Sequence, residues 1–144
     1  MQTVGQYLAT KGNQVWATRP DASVYEALER MADKDIGSLL VMEGDKLVGI
    51  FSERDYARKV ILHGKSSKET LVSEIMTSRV AYVRPEQSIE DCMAIMTELH
   101  VRHLPVMADE EVIGVISIGD VVKSIISEQS FTIKQLENYI TSGR

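Results

Sequence analysis

The chain is written twice. Shifted by 65 positions, Val15–Ile61 aligns with Val80–Ile126 without a gap, laying "TRPDASVYEALERMADKDIGSLLVMEGDKLVGIFSERD" over "VRPEQSIEDCMAIMTELHVRHLPVMADEEVIGVISIGD". Arg19 and Pro20 fall on Arg84 and Pro85, Ser23 on Ser88, Met31 on Met96, and Val41-Met42 on Val106-Met107. Looser similarity continues upstream, where "VGQYLA" from Val4 resembles "VSEIMT" from Val72, with a slightly longer first copy near "KGN". Two copies are too few to stack as a solenoid, so each half is expected to cover the apolar face of the other.

Each copy carries the same coarse pattern. A short strand ends at Arg-Pro, and Ser23-x-x-Glu26 or Ser88-x-x-Asp91 then opens a helix in the manner of a capping box. Behind those caps Val24, Ala27, Leu28 and Met31, and likewise Ile89, Cys92, Met93 and Met96, recur at i, i+3, i+4 and i+7, which predicts one-sided helices. Two strands follow, "SLLVM" and "KLVGIF" joined at Glu43-Gly44-Asp45, or "HLPVM" and "VIGVI" joined through Ala108 to Glu111. A second helix starts at Ser52 or Ser117. The expected fold is α+β, a duplicated β-α-β-β-α unit with short sheets flanked by helices. The expected organisation is a first repeat with its N-terminal segment over 1–67, a second repeat over 68–128, and a C-terminal amphipathic helix over 129–144. In that tail Phe131, Ile133, Leu136 and Tyr139-Ile140 stand at helical spacing, to be docked on the module or on a second subunit.

The 144 residues are 44% hydrophobic, enough for a core, and carry a formal net charge of −5. No overall basic field exists to hold a nucleic-acid backbone or an anionic membrane, so any bound anion must be caught by a local cluster. The single Cys92 cannot form an internal disulfide. The opening "MQTVGQYLATKGNQ" has neither a secretory pattern nor an apolar run long enough to span a bilayer, and a cytoplasmic location is the expectation.

The repeated feature richest in chemistry is "GIFSERDYARK" from Gly49, matched by "GVISIGDVVK" from Gly114. Ser52 and Ser117 are good N-caps, with Asp55 and Asp120 three residues on where a carboxylate completes a capping box. Capping accounts for those four residues but not for Arg54, whose cation in a first helical turn is mildly unfavourable unless an anion binds there. Gly119, at the matching position, would instead let a ligand approach the backbone closely.

The duplicated frame, "VSEIMT" before the second copy, "VRHLPV" at its first inner strand, and the pair "GIFSERD" and "GVISIGD" resemble a tandem pair of cystathionine β-synthase (CBS) domains, a Bateman module, over nearly the whole chain. The resemblance implies a pseudo-twofold, non-catalytic regulatory module. An adenine nucleotide such as AMP, ATP or NAD would bind in clefts between its repeats and signal through conformational change to an effector protein. It also implies a homodimer, and no nucleic acid, membrane or catalytic cofactor. Asp55 and Asp120 match the family's ribose-diol acceptors, and Ser52 and Ser117 the hydroxyl beside phosphate. Thr18, Val83, Asp35-Ile36-Gly37 and His100-Val101-Arg102, with Pro105 in the strand that follows, match segments that wrap the base. Arg54, Arg102 and His103 are the phosphate candidates. Gly37-Ser38 stands where the second copy has Arg102-His103, and Glu53-Arg54 where it has Ile118-Gly119, so the two sites are expected to be unequal.

Of the other chemistry-bearing residues, His100 and His103 lack an accompanying acidic or Cys/His cluster with metal-ligand spacing, and His100 reads as a helix C-terminal residue. His63 reads as solvated linker, Cys92 as packing on a helix face, and Lys123 as a solvated helix position. Arg19 and Arg84 divide evenly between phosphate contact and a surface role. Two further readings stand beside the sensor: a ligand-independent dimerisation or scaffolding module in which Ser and Asp only cap helices, and, with less support, a small hydrolase or metal enzyme.

Overall fold

In the computed structural model, which describes residues 2–142, there are twelve elements: the expected strand-helix-strand-strand-helix order of each copy, with the first strand of the second copy reduced to a single bridge at Val83, and two short helices and a 3-10 turn that the pattern did not predict. They are α1 (Val4–Lys11), β1 (Ala17–Thr18), α2 (Val24–Lys34), β2 (Ser38–Glu43), β3 (Lys46–Ser52), α3 (Glu53–Lys59), a 3-10 turn (Ile61–His63), α4 (Val72–Ile75), α5 (Ile89–Leu99), β4 (His103–Ala108), β5 (Glu111–Ser117) and α6 (Ile118–Ser142). Mixed helices and short sheets make this the expected α+β duplicated fold. No helix among the described residues is long and apolar enough to cross a membrane.

Two compact units result, and neither is a contiguous stretch. One comprises Gln14–Tyr82 with Ala108–Ile113; the other comprises Met1–Asn13, Val83–Met107 and Gly114–Arg144. The lines drawn at residues 67 and 128 therefore differ from the compact units. The segment preceding the first repeat joins the second repeat, and α4, which precedes the second repeat, joins the first.

In the first of these units, β1 pairs parallel with β2 (Ala17 opposite Leu40, Thr18 opposite Val41), and β2 pairs antiparallel with β3 through Leu39–Phe51 and Val41–Gly49. Gly44, at φ +62°, supplies the left-handed residue of the tight turn between them. The Ser23 side chain accepts the Glu26 N–H and starts α2, whose Val24, Ala27 and Met31 are 3% exposed or less. They close over Leu39, Val41 and Phe51 of the sheet, and α4 completes the core with Val72 and Ile75. Backbone bonds tie α4 in place: Val72 N–H to Ala22 O (2.9 Å), Ser73 N–H to Pro20 O (3.0 Å) and Val24 N–H to Thr70 O (2.8 Å).

The other unit repeats this construction with α1. Val4 N–H reaches Gln87 O (2.8 Å), Gly5 N–H reaches Pro85 O (2.9 Å), and Ile89 N–H reaches Gln2 O (3.0 Å). Ser88 and Asp91 form a reciprocal capping box on α5, whose Ile89, Cys92 and Met96 are buried as the periodicity predicts. Val83 bridges to Val106 in parallel, and β4 pairs with β5.

These attachments explain the repeated glycines. A Cβ on Gly49 would lie 2.6 Å from Met76 Sδ, and one on Gly114 would lie 2.9 Å from both Leu8 methyl carbons. The second inner strand of each copy has a glycine where the incoming segment lays a long apolar side chain on it.

The C-terminal segment is the second departure from expectation. It is no separate helix, because α6 runs unbroken from Ile118 through Ser142. Val121 and Ser124 are buried, but every residue from 129 to 138 is exposed, so this stretch is not docked on the module. The side chains of Tyr139 and Ile140 lie outside the described residues.

Candidate functional site

Both copies place their Ser-x-x-Asp at a strand-to-helix junction, and the capping chemistry expected from sequence is present in both. Asp55 Oδ2 accepts from Ser52 N–H (3.0 Å) and Ser52 Oγ (3.1 Å), while Asp55 N–H donates to Ser52 Oγ (3.2 Å). Asp120 Oδ2 accepts from Ser117 N–H (2.8 Å) and Ser117 Oγ (2.9 Å), and Asp120 N–H donates to Ser117 Oγ (3.1 Å).

Each carboxylate also accepts from one hydroxyl and one ammonium. Asp55 Oδ1 takes Thr77 Oγ1 (3.1 Å) and Lys59 Nζ (3.1 Å). Asp120 takes Tyr7 Oη on Oδ1 (3.0 Å) and Lys11 Nζ on Oδ2 (2.6 Å). Lys59 also donates to Ile75 O and Lys11 to Val115 O, so each lysine ties an aspartate to neighbouring backbone. The two aspartates are 7% and 8% exposed. Burial alone would raise the Asp120 carboxyl, but donation from Lys11 and from the Ser117 amide and hydroxyl outweighs it and holds the group below the ordinary carboxylate range. The Tyr7 hydroxyl is pushed up to about 12, first by burial, then by donating to Asp120 beside that negative charge.

The base-wrapping candidates share one backbone arrangement in the two copies. Asp35 (φ 54°, ψ 51°) and His100 (φ 56°, ψ 41°) end α2 and α5 in the left-handed conformation. Ile36 N–H then returns to Met31 O (3.0 Å) and Val101 N–H to Met96 O (3.1 Å). The Gly37 carbonyl accepts the Glu53 N–H (3.1 Å), and the Arg102 carbonyl accepts the Ile118 N–H (2.8 Å). The segment is thereby fastened to the first turn of the helix bearing the aspartate. The first and third amides of α3 and α6 are taken by these carbonyls and by the cap serines, and the second position is where the two copies differ. That position is Arg54 in one copy and Gly119 in the other.

In the first repeat a cleft of about 320 Å³ opens beside this segment, lined by Leu28, Met31, Ala32, Asp35, Ile36, Gly37 and Glu53. Its floor is apolar and its rim carries carboxylates, which suits a flat, uncharged ring better than a phosphate. The cleft is open to solvent, and its volume lies at the low end of the range for small-molecule sites. Sequence reasoning identified Asp35, Ile36 and Gly37 but assigned Leu28 and Met31 to the core alone, named Glu53 only as a difference between the copies, and passed over Ala32. Thr18 is half-buried in β1, paired with Val41.

The second-repeat candidates are distributed differently. His100, Arg102 and Gly119 are exposed, Val101, His103 and Ser117 half-buried. Val83 is 0% exposed, and its N–H and C=O are spent on Pro105 O (3.0 Å) and Met107 N–H (2.8 Å); Pro105 is itself buried. Val83 and Pro105 thus stand in the core of their unit. In the first repeat, Arg54 and Ser52 are exposed and half-buried respectively. Among the described residues no group of three or more His, Cys, Asp or Glu is placed to hold a metal ion. Cys92 is fully buried, its thiol pushed up to about 11 by burial and then by the negative charge of Asp91, which suits packing rather than reaction.

Comparison with known proteins agrees with this duplicated architecture. The CBS domain matches twice, over residues 8–62 and 72–127. The chain is 40% identical over 137 residues to the mitochondrial CBS domain-containing protein CBSX3 of Arabidopsis thaliana, covering 92% of this chain and 66% of that protein. A solved CBS-domain structure superposes with a TM-score of 0.84 at 54% identity, covering 88% of this chain and 99% of its own. A CBS-domain protein of Burkholderia ambifaria, provisionally assigned to signal transduction, superposes with a TM-score of 0.85 at 51% identity over 89% of this chain and 96% of that one.

Proposed function

Because the chain belongs to the CBS-domain family as a tandem pair, whose members are regulatory, we propose that it is a non-catalytic sensor of adenine nucleotides such as AMP, ATP or NAD. The observation that carries this reading is the first-repeat cleft, where Leu28, Met31, Ala32 and Ile36 offer an apolar seat for a purine and the Asp35-Ile36-Gly37 backbone lies beside it. Asp55 and Asp120 serve as ribose acceptors, with the sugar hydroxyls taking the place of Thr77 or Tyr7 as donors. Arg54 contributes the phosphate contact of the first copy; Arg102 and His103 contribute that of the second. A nucleotide regulates only through unequal affinity for two arrangements of the protein, which an effector protein then distinguishes. The protein acts as a homodimer in the cytoplasm in this reading.

Calorimetric titration with AMP, ATP and NAD tests it. At least one nucleotide is expected to bind saturably, and Asp55→Ala and Asp120→Ala are each expected to weaken one site about tenfold or more, the cost of a lost charge-assisted hydrogen bond pair. Unchanged affinity in both variants, with circular dichroism showing intact folds, rejects the site. One specific observation supports the alternative of a ligand-independent scaffolding module: each aspartate already has four protein donor contacts. A thermal-shift panel with these nucleotides and S-adenosylmethionine separates the two, since a ligand bound to the folded state must raise the melting temperature.

A further inference from the structure

The two buried aspartates are met by the same kinds of donor drawn from different places in the chain. Besides its own serine, each carboxylate takes one hydroxyl and one ammonium: Thr77 and Lys59 on Asp55, Tyr7 and Lys11 on Asp120. Duplication does not account for this. Lys59 falls on Ser124 when the repeats are aligned, and Lys11, the last residue of α1, is 109 positions from Asp120. Tyr7 is the fourth residue of "VGQYLA", whereas Thr77 is the sixth of "VSEIMT". A hydroxyl and an ammonium are thus assembled on each carboxylate from non-equivalent residues, which makes the pair of donors a demand of the site and not an inheritance of the repeat.

Each lysine is placed so that it can leave. The side chain of Lys59 is 43% exposed and that of Lys11 is 32% exposed, against 9% and 11% for their aspartates. Both ammoniums ride on flexible four-carbon stems. A ribose diol brings two O–H donors, the number that the hydroxyl and the ammonium supply together. When the diol takes both places the carboxylate stays satisfied, but the ammonium loses its anion. A backbone carbonyl, Ile75 O or Val115 O, also accepts from each lysine but carries no charge to replace the carboxylate. A nucleoside leaves that cation unpaired; a nucleotide brings the replacement anion in its phosphate.

We propose that Lys11 and Lys59 are exchange contacts that make each site select a nucleotide over its nucleoside: each neutralises its aspartate without ligand and passes to the phosphate when the ribose diol takes its place. The proposal rests on the adenine-nucleotide reading above and adds to it two specificity-determining residues.

Calorimetric titration of the full chain with AMP and with adenosine tests it. Wild type is expected to prefer AMP by about tenfold or more, the range for hydrogen bonds between charged groups. In Lys11→Met and in Lys59→Met one site is expected to bind adenosine more tightly, because no ammonium competes with the diol, and AMP more weakly, so that its preference shrinks about tenfold. The opposite signs separate this outcome from a damaged fold, which weakens both ligands together. Lys11→Arg and Lys59→Arg keep the charge and are expected to keep the preference for AMP. A cycle on the ligand gives the same test in wild type alone. In the dideoxy analogues, which lack both ribose hydroxyls, the lysines stay on the aspartates, so the phosphate is expected to add about tenfold less affinity than it adds to adenosine. An AMP-to-adenosine ratio unchanged in both Met variants, or a phosphate gain as large with the dideoxy pair as with the ribose pair, overturns the proposal. AMP and adenosine bound equally by wild type overturn the exchange alone, whereas a wild type that binds neither overturns the nucleotide reading itself.

Discussion

Gly114 and Leu8 offer a direct test of the exchanged packing. A Cβ at Gly114 lies 2.9 Å from both Leu8 methyl carbons, well inside the roughly 3.5–4.0 Å of favourable carbon contact. Gly114 has no positive φ, so the backbone accepts alanine and the steric conflict dominates. Gly114→Ala is expected to cost about 1–3 kcal/mol, the range for overpacking a core. Leu8 is 4% exposed, and Leu8→Ala is expected to cost about 2–5 kcal/mol through lost burial and the cavity left behind. In the double variant the new methyl enters the space vacated by leucine, so the combined cost falls short of the sum by about 1–2 kcal/mol, within the coupling range of touching residues. Urea unfolding of the four proteins followed by circular dichroism measures this cycle. Met76→Ala with Gly49→Ala is expected to couple in the same sense, more weakly because methionine is flexible and yields. Leu8→Ala with Gly49→Ala is expected to be additive within about 0.5 kcal/mol. Additivity for Leu8 with Gly114, or coupling of Leu8 to Gly49, refutes the assignment of α1 to the second repeat.

Two further outcomes follow from titratable groups. Asp120 is held below its ordinary range in the fold, so its contribution is present above the unfolded carboxylate value and lost as pH falls through the folded one; the melting-temperature gap between wild type and Lys11→Met should narrow from about pH 7 to about pH 2. A constant gap contradicts the ion pair. Tyr7, raised from 10.0 to about 12, contributes stability that is complete below pH 10 and lost as pH rises toward 12, a loss that Tyr7→Phe removes in alkaline melts. Cys92, fully buried with its thiol near 11, is expected to react with a thiol reagent at neutral pH more than about a hundredfold slower than a free thiol, with rapid labelling of the native protein as the contrary result.

Features governed by neighbours in the chain were legible in the residues. The caps at Ser23, Ser52 and Ser88, the one-sided helices behind them and the strand pairs around Gly44 all form where the pattern puts them, because each rests on contacts within one turn or one hairpin. Lys59 as a partner for Asp55 was also readable, being four residues on in the same helix. Tyr7 and Lys11 as partners for Asp120 were not, since they lie 113 and 109 positions away. The cleft beside Ile36 was half legible: the repeat marks the segment, but the floor uses Leu28 and Met31, which periodicity alone assigns to the core.

The sequence by itself determined that the protein is one β-α-β-β-α unit made twice, that its serines and aspartates cap helices, and that its two copies differ at Arg54 and Gly119. Only the tertiary structure decided which unit receives α1 and which receives α4, because an amphipathic segment carries a face to bury but no address. The address is the space above Gly49 and Gly114, which strands from elsewhere in the chain create and which Met76 and Leu8 fill.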